Sequence, residues 1–177
     1  MPRCITDYLK QKHHGLSQLL NELTDELRAL PLTRDVGEAF ERIEGLCQEI
    51  SKRIHIHLEE EERVLYPALE SYVQGISATL DRMRRDHDTG EAAEKAFRDA
   101  VAALAKAGAN RQDVMRSGRA YIQWVRGHLL SENGRLFPLV ERGLDPKTQR
   151  EIRRAMEELS QETSAHISEV LPRDGRA

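Results

Sequence analysis

The sequence predicts an all-α fold, an up-down-up-down four-helix bundle with an added C-terminal helix, on three observations. Apolar residues recur at alternating steps of four and three through four long stretches, the pattern of helices that bury one face. Hydrophobic residues make up 39% and charged residues 32% of the 177, and no stretch alternates apolar and polar residues long enough for a sheet. Finally, one phrase occurs twice, as His57-Leu58-Glu59-Glu60-Glu61-Glu62-Arg63-Val64-Leu65-Tyr66-Pro67 and as His128-Leu129-Leu130-Ser131-Glu132-Asn133-Gly134-Arg135-Leu136-Phe137-Pro138. Without gaps the two share His, Leu, a Glu four residues after the His, a second Leu, a large aromatic and Pro. Glu70 and Glu141 match beyond them.

The first helix is expected from about Thr6 to Leu30, capped by Thr6 or Asp7 and followed by Pro31. Its seam is Leu9, His13, Leu16, Leu20, Leu23, Leu27 and Leu30, with His14 beside it. Alone, His13 reads as a core histidine with a satisfied ring ahead of a ligand. The second helix begins near Thr33-Arg34-Asp35, with the seam Val36, Phe40, Ile43, Cys47, Ile50, Ile54, His57, Glu61, Val64 and Ala68. This register points His57 and Glu61 inward and turns His55, Glu59, Glu60 and Glu62 away. A carboxylate on an apolar seam is costly unless it is paired or metal-bound, so the position of Glu61 is informative. Cys47 reads as a small core residue.

The third helix is expected over about Gly75 to Lys106, with seam Ile76, Leu80, Met83, His87, Gly90, Glu94, Phe97, Val101 and Leu104. His87 follows Met83 as His13 follows Leu9. Gly90 has two readings, an opening toward a small ligand or close helix packing. Glu91 reads as half of a surface pair with Lys95 ahead of an extra ligand. After a turn at Ala107-Gly108-Ala109-Asn110, the fourth helix runs from about Arg111 to Glu141, with seam Val114, Gly118, Tyr121, Val125, His128, Glu132, Leu136 and Leu139. Pro67 and Pro138 remove a backbone donor at equivalent points and should kink or end their helices there. Gly143-Leu144-Asp145-Pro146 is a break. A fifth, amphipathic helix from about Pro146 to Val170 carries His166 without a matching carboxylate, and Arg173 to Ala177 reads as a mobile tail. The bundle is therefore assigned to residues 1–143 and the added helix and tail to 144–177.

The net charge of −3 implies neither a nucleic-acid footprint nor a membrane surface. No apolar run approaches the roughly 20 residues that span a bilayer. Cys4 and Cys47 make no disulfide framework, so a cytoplasmic protein with reduced thiols is expected.

The organisation is a duplicated helix pair, (His13)–(His57, Glu61) and (His87)–(His128, Glu132). Residues i and i+4 share a helix face, so each repeat offers an imidazole beside a carboxylate. Six such side chains on inner seams, in one repeated order, are hard to explain by packing. With both carboxylates bridging, two metal ions receive two nitrogens and two oxygens each. A solvent-derived bridge adds a fifth donor and leaves one position open per ion. Mixed imidazole and carboxylate donors suit iron or manganese better than a structural thiolate zinc site. The Glu-x-x-His motif of ferritin-type carboxylate bundles is absent from these helices.

From about Leu9 to Glu141 the chain resembles the hemerythrin-like family of His-His-Glu cation-binding domains, through HLEEEERVLYP, RRDHDTGE and HLLSENGRLFP. The resemblance implies a non-haem di-iron centre with His13, His57, Glu61, His87, His128 and Glu132 as ligands, with manganese or zinc as substitutes. The oxygen-carrying members use five histidines. Here Glu91 stands where the fifth would be, Asn133 stands at the place of their last carboxylate, and Glu132 replaces it one residue earlier. That departure favours binding, sensing or reaction with oxygen, nitric oxide or peroxide over reversible oxygen carriage. HDTG and HLLSEN look closest to the di-iron domain of iron–sulfur cluster repair proteins, whose paired-cysteine domain has no counterpart in these residues. Three functions stay open: a ligand-binding or sensing protein, an enzyme or iron supplier, and a storage or structural bundle. No nucleic acid or membrane partner is expected.

Overall fold

The computed structural model describes residues 4–104 and 110–170. The predicted end of the third helix at 105–106, most of the turn after it and the tail over 173–177 lie outside the described residues. Among the described residues every regular element is helical: α1 (Ile5–Ala29), α2 (Val36–Glu60), a π turn (Glu61–Leu65), α3 (Tyr66–Tyr72), α4 (Ser77–Leu104), α5 (Arg111–Ser131), a second π turn (Glu132–Leu136), α6 (Phe137–Gly143) and α7 (Pro146–Val170). The chain is all-α. None of these helices is long and apolar enough to cross a membrane.

Local chemistry sets the boundaries. Asp35 caps α2 by accepting from Glu38 N at 3.0 Å, and Asn110 caps α5 by accepting from Gln112 N at 2.9 Å. Asp145 accepts from the backbone of Lys147 and Thr148 at the start of α7. Gly75, with φ of 74°, makes the turn into α4. The start of α1 differs from expectation. Cys4 occupies the cap position without a side-chain bond to the helix backbone, its Sγ lying 3.2 Å from Thr6 Oγ1, and Thr6 is already inside the helix, donating to Glu141 Oε1 at 3.0 Å.

The four-three seams are buried as read through most of their length, from Leu9 to Leu30, Ile43 to Glu61, Ile76 to Gly90 and Val114 to Leu136. They slip after each His-Glu pair. Val64, Ala68 and Leu139 are only half-buried, while Leu65, Tyr66, Leu69, Phe137 and Val140 are in the core. The two π turns are the cause. Tyr66 N–H bonds Glu61 O and Phe137 N–H bonds Glu132 O, five residues back instead of four. Each turn widens just before a proline that lacks an N–H and whose ring would crowd the carbonyl four residues back. The extra residue advances the buried face by one position.

The core forms two apolar clusters. One contains Leu16 to Leu30, Ala39 to Ile54, Phe97 to Leu104 and Val114 to Leu129; the other contains Ile5, Leu9, Leu65, Tyr66, Leu69, Ile76 to Met83, Leu136, Phe137, Val140 and part of α7. The chain passes from one to the other at His13, at His57 and Glu61, at His87, and near His128 and Glu132. The polar residues therefore lie at one level, with hydrophobic packing on either side. α7 packs on α1, α2 and the first π turn. Its Met156 is fully buried, making it a packing helix. Met156→Ala should therefore cost about 2–5 kcal/mol, as a core truncation does, whereas His166→Ala, at an exposed position, should change little; urea unfolding measures both.

Candidate metal centre

Each helix delivers its polar residue by the same route. His13 comes from the middle of α1, His87 from the middle of α4, and His57 and His128 from the last turns of α2 and α5. Glu61 and Glu132 open the two π turns. All six are buried, and all four imidazoles turn Nε2 toward the same point. Glu132 Oε2 lies 2.9 Å from His13 Nε2 and 3.1 Å from His57 Nε2, and its Oε1 lies 3.3 Å from His128 Nε2. Glu61 Oε2 lies 3.5 Å from His87 Nε2 and 3.9 Å from His128 Nε2. One donor atom from each of His57, Glu61, His128 and Glu132 falls within 4.8 Å of the others. His13 and His87 flank this quartet. His14, His55, His166 and Glu91 are exposed, and Lys95 pairs with Asp99 rather than Glu91.

The donor set fits a cation. His13 Nε2, His128 Nε2, Glu61 Oε1 and Glu132 Oε1 are buried and, although imidazoles and carboxylates approach closely, none of these atoms is in hydrogen-bonding geometry with a described residue, a costly arrangement for groups that face one another. The electrostatics agree. Burial, and then the charge of Glu132, hold Glu61 well above the ordinary carboxylate range. Burial acts on Glu132 as well, but His57 and His128 outweigh it and hold Glu132 well below that range. Burial opposes a charge on His128, yet Glu132 and the bond to Asp86 push it up to about 10. Burial thus favours a proton on Glu61, while the carboxylates favour one on His128, and both offset negative charge in the buried cluster.

Several residues at the site escaped the sequence reading. The Tyr66 hydroxyl donates to Glu61 Oε2 at 2.9 Å and lies 3.3 Å from His87 Nε2; burial, and then the charge of Glu61, keep its proton on. In a continuous α-helix Tyr66 would project about 140° away from Glu61, and the π turn brings the two together. Tyr66 also stacks on His87, with ring centroids 5.9 Å apart, as its repeat partner Phe137, which has no hydroxyl, stacks on His13 at 5.3 Å. Outside the imidazoles, His87 Nδ1 meets Glu62 Oε1 at 2.5 Å and His128 Nδ1 meets Asp86 Oδ2 at 3.1 Å.

Glu60 corrects another expectation. It is fully buried, holding Lys12 and accepting from the Tyr8 hydroxyl at 2.5 Å, with Ser160 of α7 beside Lys12. The periodicity of α2 turned Glu60 away from the seam, but α7 covers that neighbouring face. Cys47 is a buried free thiol pushed up to about 11 by desolvation, as suits a core residue.

Gly90 resolves in favour of close packing. A Cβ there would lie 2.0 Å from the Trp124 ring, which stacks on His128 at 5.5 Å and donates to Asp86 O at 3.0 Å. Gly90→Ala should therefore overpack the site and cost about 1–3 kcal/mol, with a shift in the emission of Trp124, the single tryptophan. Gly45→Ala, at an exposed α2 position with open space around it, should gain up to about 1 kcal/mol from helix propensity. Equal effects of the two alanines on unfolding midpoint would contradict the packing assigned to Gly90.

Comparison with curated proteins and with solved structures returned no match. Among family models, that of the hemerythrin HHE cation-binding domain matches residues 4–140, a span that contains all six side chains of the centre. The chain belongs to the hemerythrin HHE cation-binding domain family.

Proposed function

We propose that His13, His57, Glu61, His87, His128 and Glu132 hold two iron ions, with Glu61 and Glu132 shared between them, and that this centre binds, senses or reacts with oxygen, nitric oxide or peroxide. The observation that carries the reading is the group of unpartnered, buried nitrogen and oxygen atoms that converge between the two apolar clusters. Glu132 supports the bridging role, since one oxygen faces His13 and His57 while the other faces His128. Iron in imidazole and carboxylate surroundings supplies redox-active positions for a small ligand. The chain's own part is to orient the imidazoles, to keep the Tyr66 proton beside Glu61 and to surround the centre with apolar side chains. In this reading residues 1–143 form an up-down-up-down bundle and 144–177 contribute the added helix. The passage of α1 and α4 from one apolar cluster to the other, with α2 and α5 running back, supports that topology. The protein is taken to be cytoplasmic.

The deciding experiment is the optical spectrum of the anaerobically reduced, iron-loaded protein before and after oxygen, nitric oxide and azide. Ligand-dependent bands are expected. An unchanged spectrum under confirmed loading would leave a metal staple for the fold in place of a reactive centre.

Two further outcomes follow from burial. His13→Ala should lower metal content sharply while His14→Ala leaves it nearly unchanged, as elemental analysis of the purified variants would show; the reverse would contradict the register of α1. Metal bound only to the folded chain should raise the melting temperature with increasing free metal, a gain of about 2.7 kcal/mol at a hundred times Kd. Calorimetry of apo and loaded protein tests this, and the apo deficit should shrink when Glu61 and Glu132 are both replaced by Gln.

A further inference from the structure

The four imidazoles are not held alike. His87 Nδ1 faces Glu62 and His128 Nδ1 faces Asp86, while His13 Nδ1 and His57 Nδ1 are buried without a hydrogen-bond partner among the described residues. The difference is written into the repeat. Asp86 precedes His87 as Lys12 precedes His13, and Glu62 follows Glu61 as Asn133 follows Glu132. By the equivalence of the two repeats, Lys12 and Asn133 are the residues that would serve His57 and His13. Lys12 has no acceptor to offer and is bound to Glu60. Asn133 is exposed.

An imidazole binds metal through the nitrogen that lacks a hydrogen. A carboxylate on Nδ1–H selects that tautomer, fixes the ring and makes Nε2 a stronger donor. Trp124 adds to the effect at one imidazole, since it stacks on His128 and bonds the backbone of Asp86. The Tyr66 hydroxyl lies on this side too, with Phe137 as its apolar counterpart on the other.

We propose that Asp86 and Glu62 are positioning residues that make the two metal positions unequal: the position between His87 and His128 fills first and tightly, and the position between His13 and His57 fills second and exchanges more readily. This rests on the two-metal reading above.

The test is stepwise loading of the full-length apo-protein with cobalt(II) under anaerobic conditions, against a competing chelator, followed by the visible absorption of bound cobalt. Wild type should show two steps whose dissociation constants differ by at least about tenfold. His13→Ala should remove the weaker step and keep the tighter one; His87→Ala should do the opposite. The double substitution Asp86→Asn with Glu62→Gln, which keeps side-chain shape, should weaken the first step by about 10–100-fold and close the gap. Asn133→Glu, which places a carboxylate at the equivalent point of the other half, should tighten the second step. A purely structural role for these carboxylates would lower the melting temperature and leave the ratio of the two affinities unchanged, overturning the proposal. Two indistinguishable steps in wild type, or loss of the tighter one in His13→Ala, would also overturn it while leaving the two-metal reading in place. Should the apo-protein bind no cobalt, that reading falls and this one with it. If the double variant fails to fold, the wild-type isotherm and the two histidine variants decide.

Discussion

Two carboxylates and four imidazoles, all buried at one level between two apolar clusters, set the constraint on which the rest of the structure depends. Ionic groups out of water cost several kcal/mol each unless they are matched closely. The helices must therefore bring Glu61, Glu132 and the four imidazoles within a few ångströms of one another or leave charge uncompensated. That requirement fixes the rotation of α1, α2, α4 and α5 about their axes, and leucine, isoleucine and aromatic packing above and below locks it. Membership of the HHE cation-binding family fits a core divided in this way.

The duplication extends beyond the donors. Glu70 pairs with Arg84 at 3.1 Å, and its repeat partner Glu141 lies 3.4 Å from Lys10, the residue equivalent to Arg84. Each half thus clasps a neighbouring helix by the same link. Both halves also open a π turn at the glutamate and follow it with proline. The departures from symmetry gather around one pair of imidazoles: Tyr66 against Phe137, Asp86 against Lys12, Glu62 against Asn133. A repeated scaffold places the donors, and differences in the surrounding side chains distinguish the two sides.

Much of this was legible in the sequence because helical periodicity is a local signal. The seams from Leu9 to Leu30 and from Ile76 to Gly90 carry their histidines to the core by spacing alone, and the same spacing separates His13 from His14 and His57 from His55. The π turns were not legible. Pro67 and Pro138 marked where helix geometry must change, but a kink and an inserted residue answer a missing N–H equally well, and only the second moves Leu65, Tyr66 and Leu69 inward. Glu60 was misread for a different reason. Its surroundings depend on where α7 packs, and no periodicity within α2 reports that. The Glu62 and Asp86 contacts were hidden similarly, since carboxylates in a charged run give no sign of which ring nitrogen they meet.

The central claim is that this buried cluster is the seat of two bridged metal ions. X-ray absorption at the iron edge of the loaded protein tests it most directly, because a metal–metal scattering vector needs both ions in one place. The account predicts iron–iron backscattering at about 3.5–4 Å, with nitrogen and oxygen neighbours in the inner shell. An inner shell without a metal–metal vector, at a loading of two irons per chain, would contradict it.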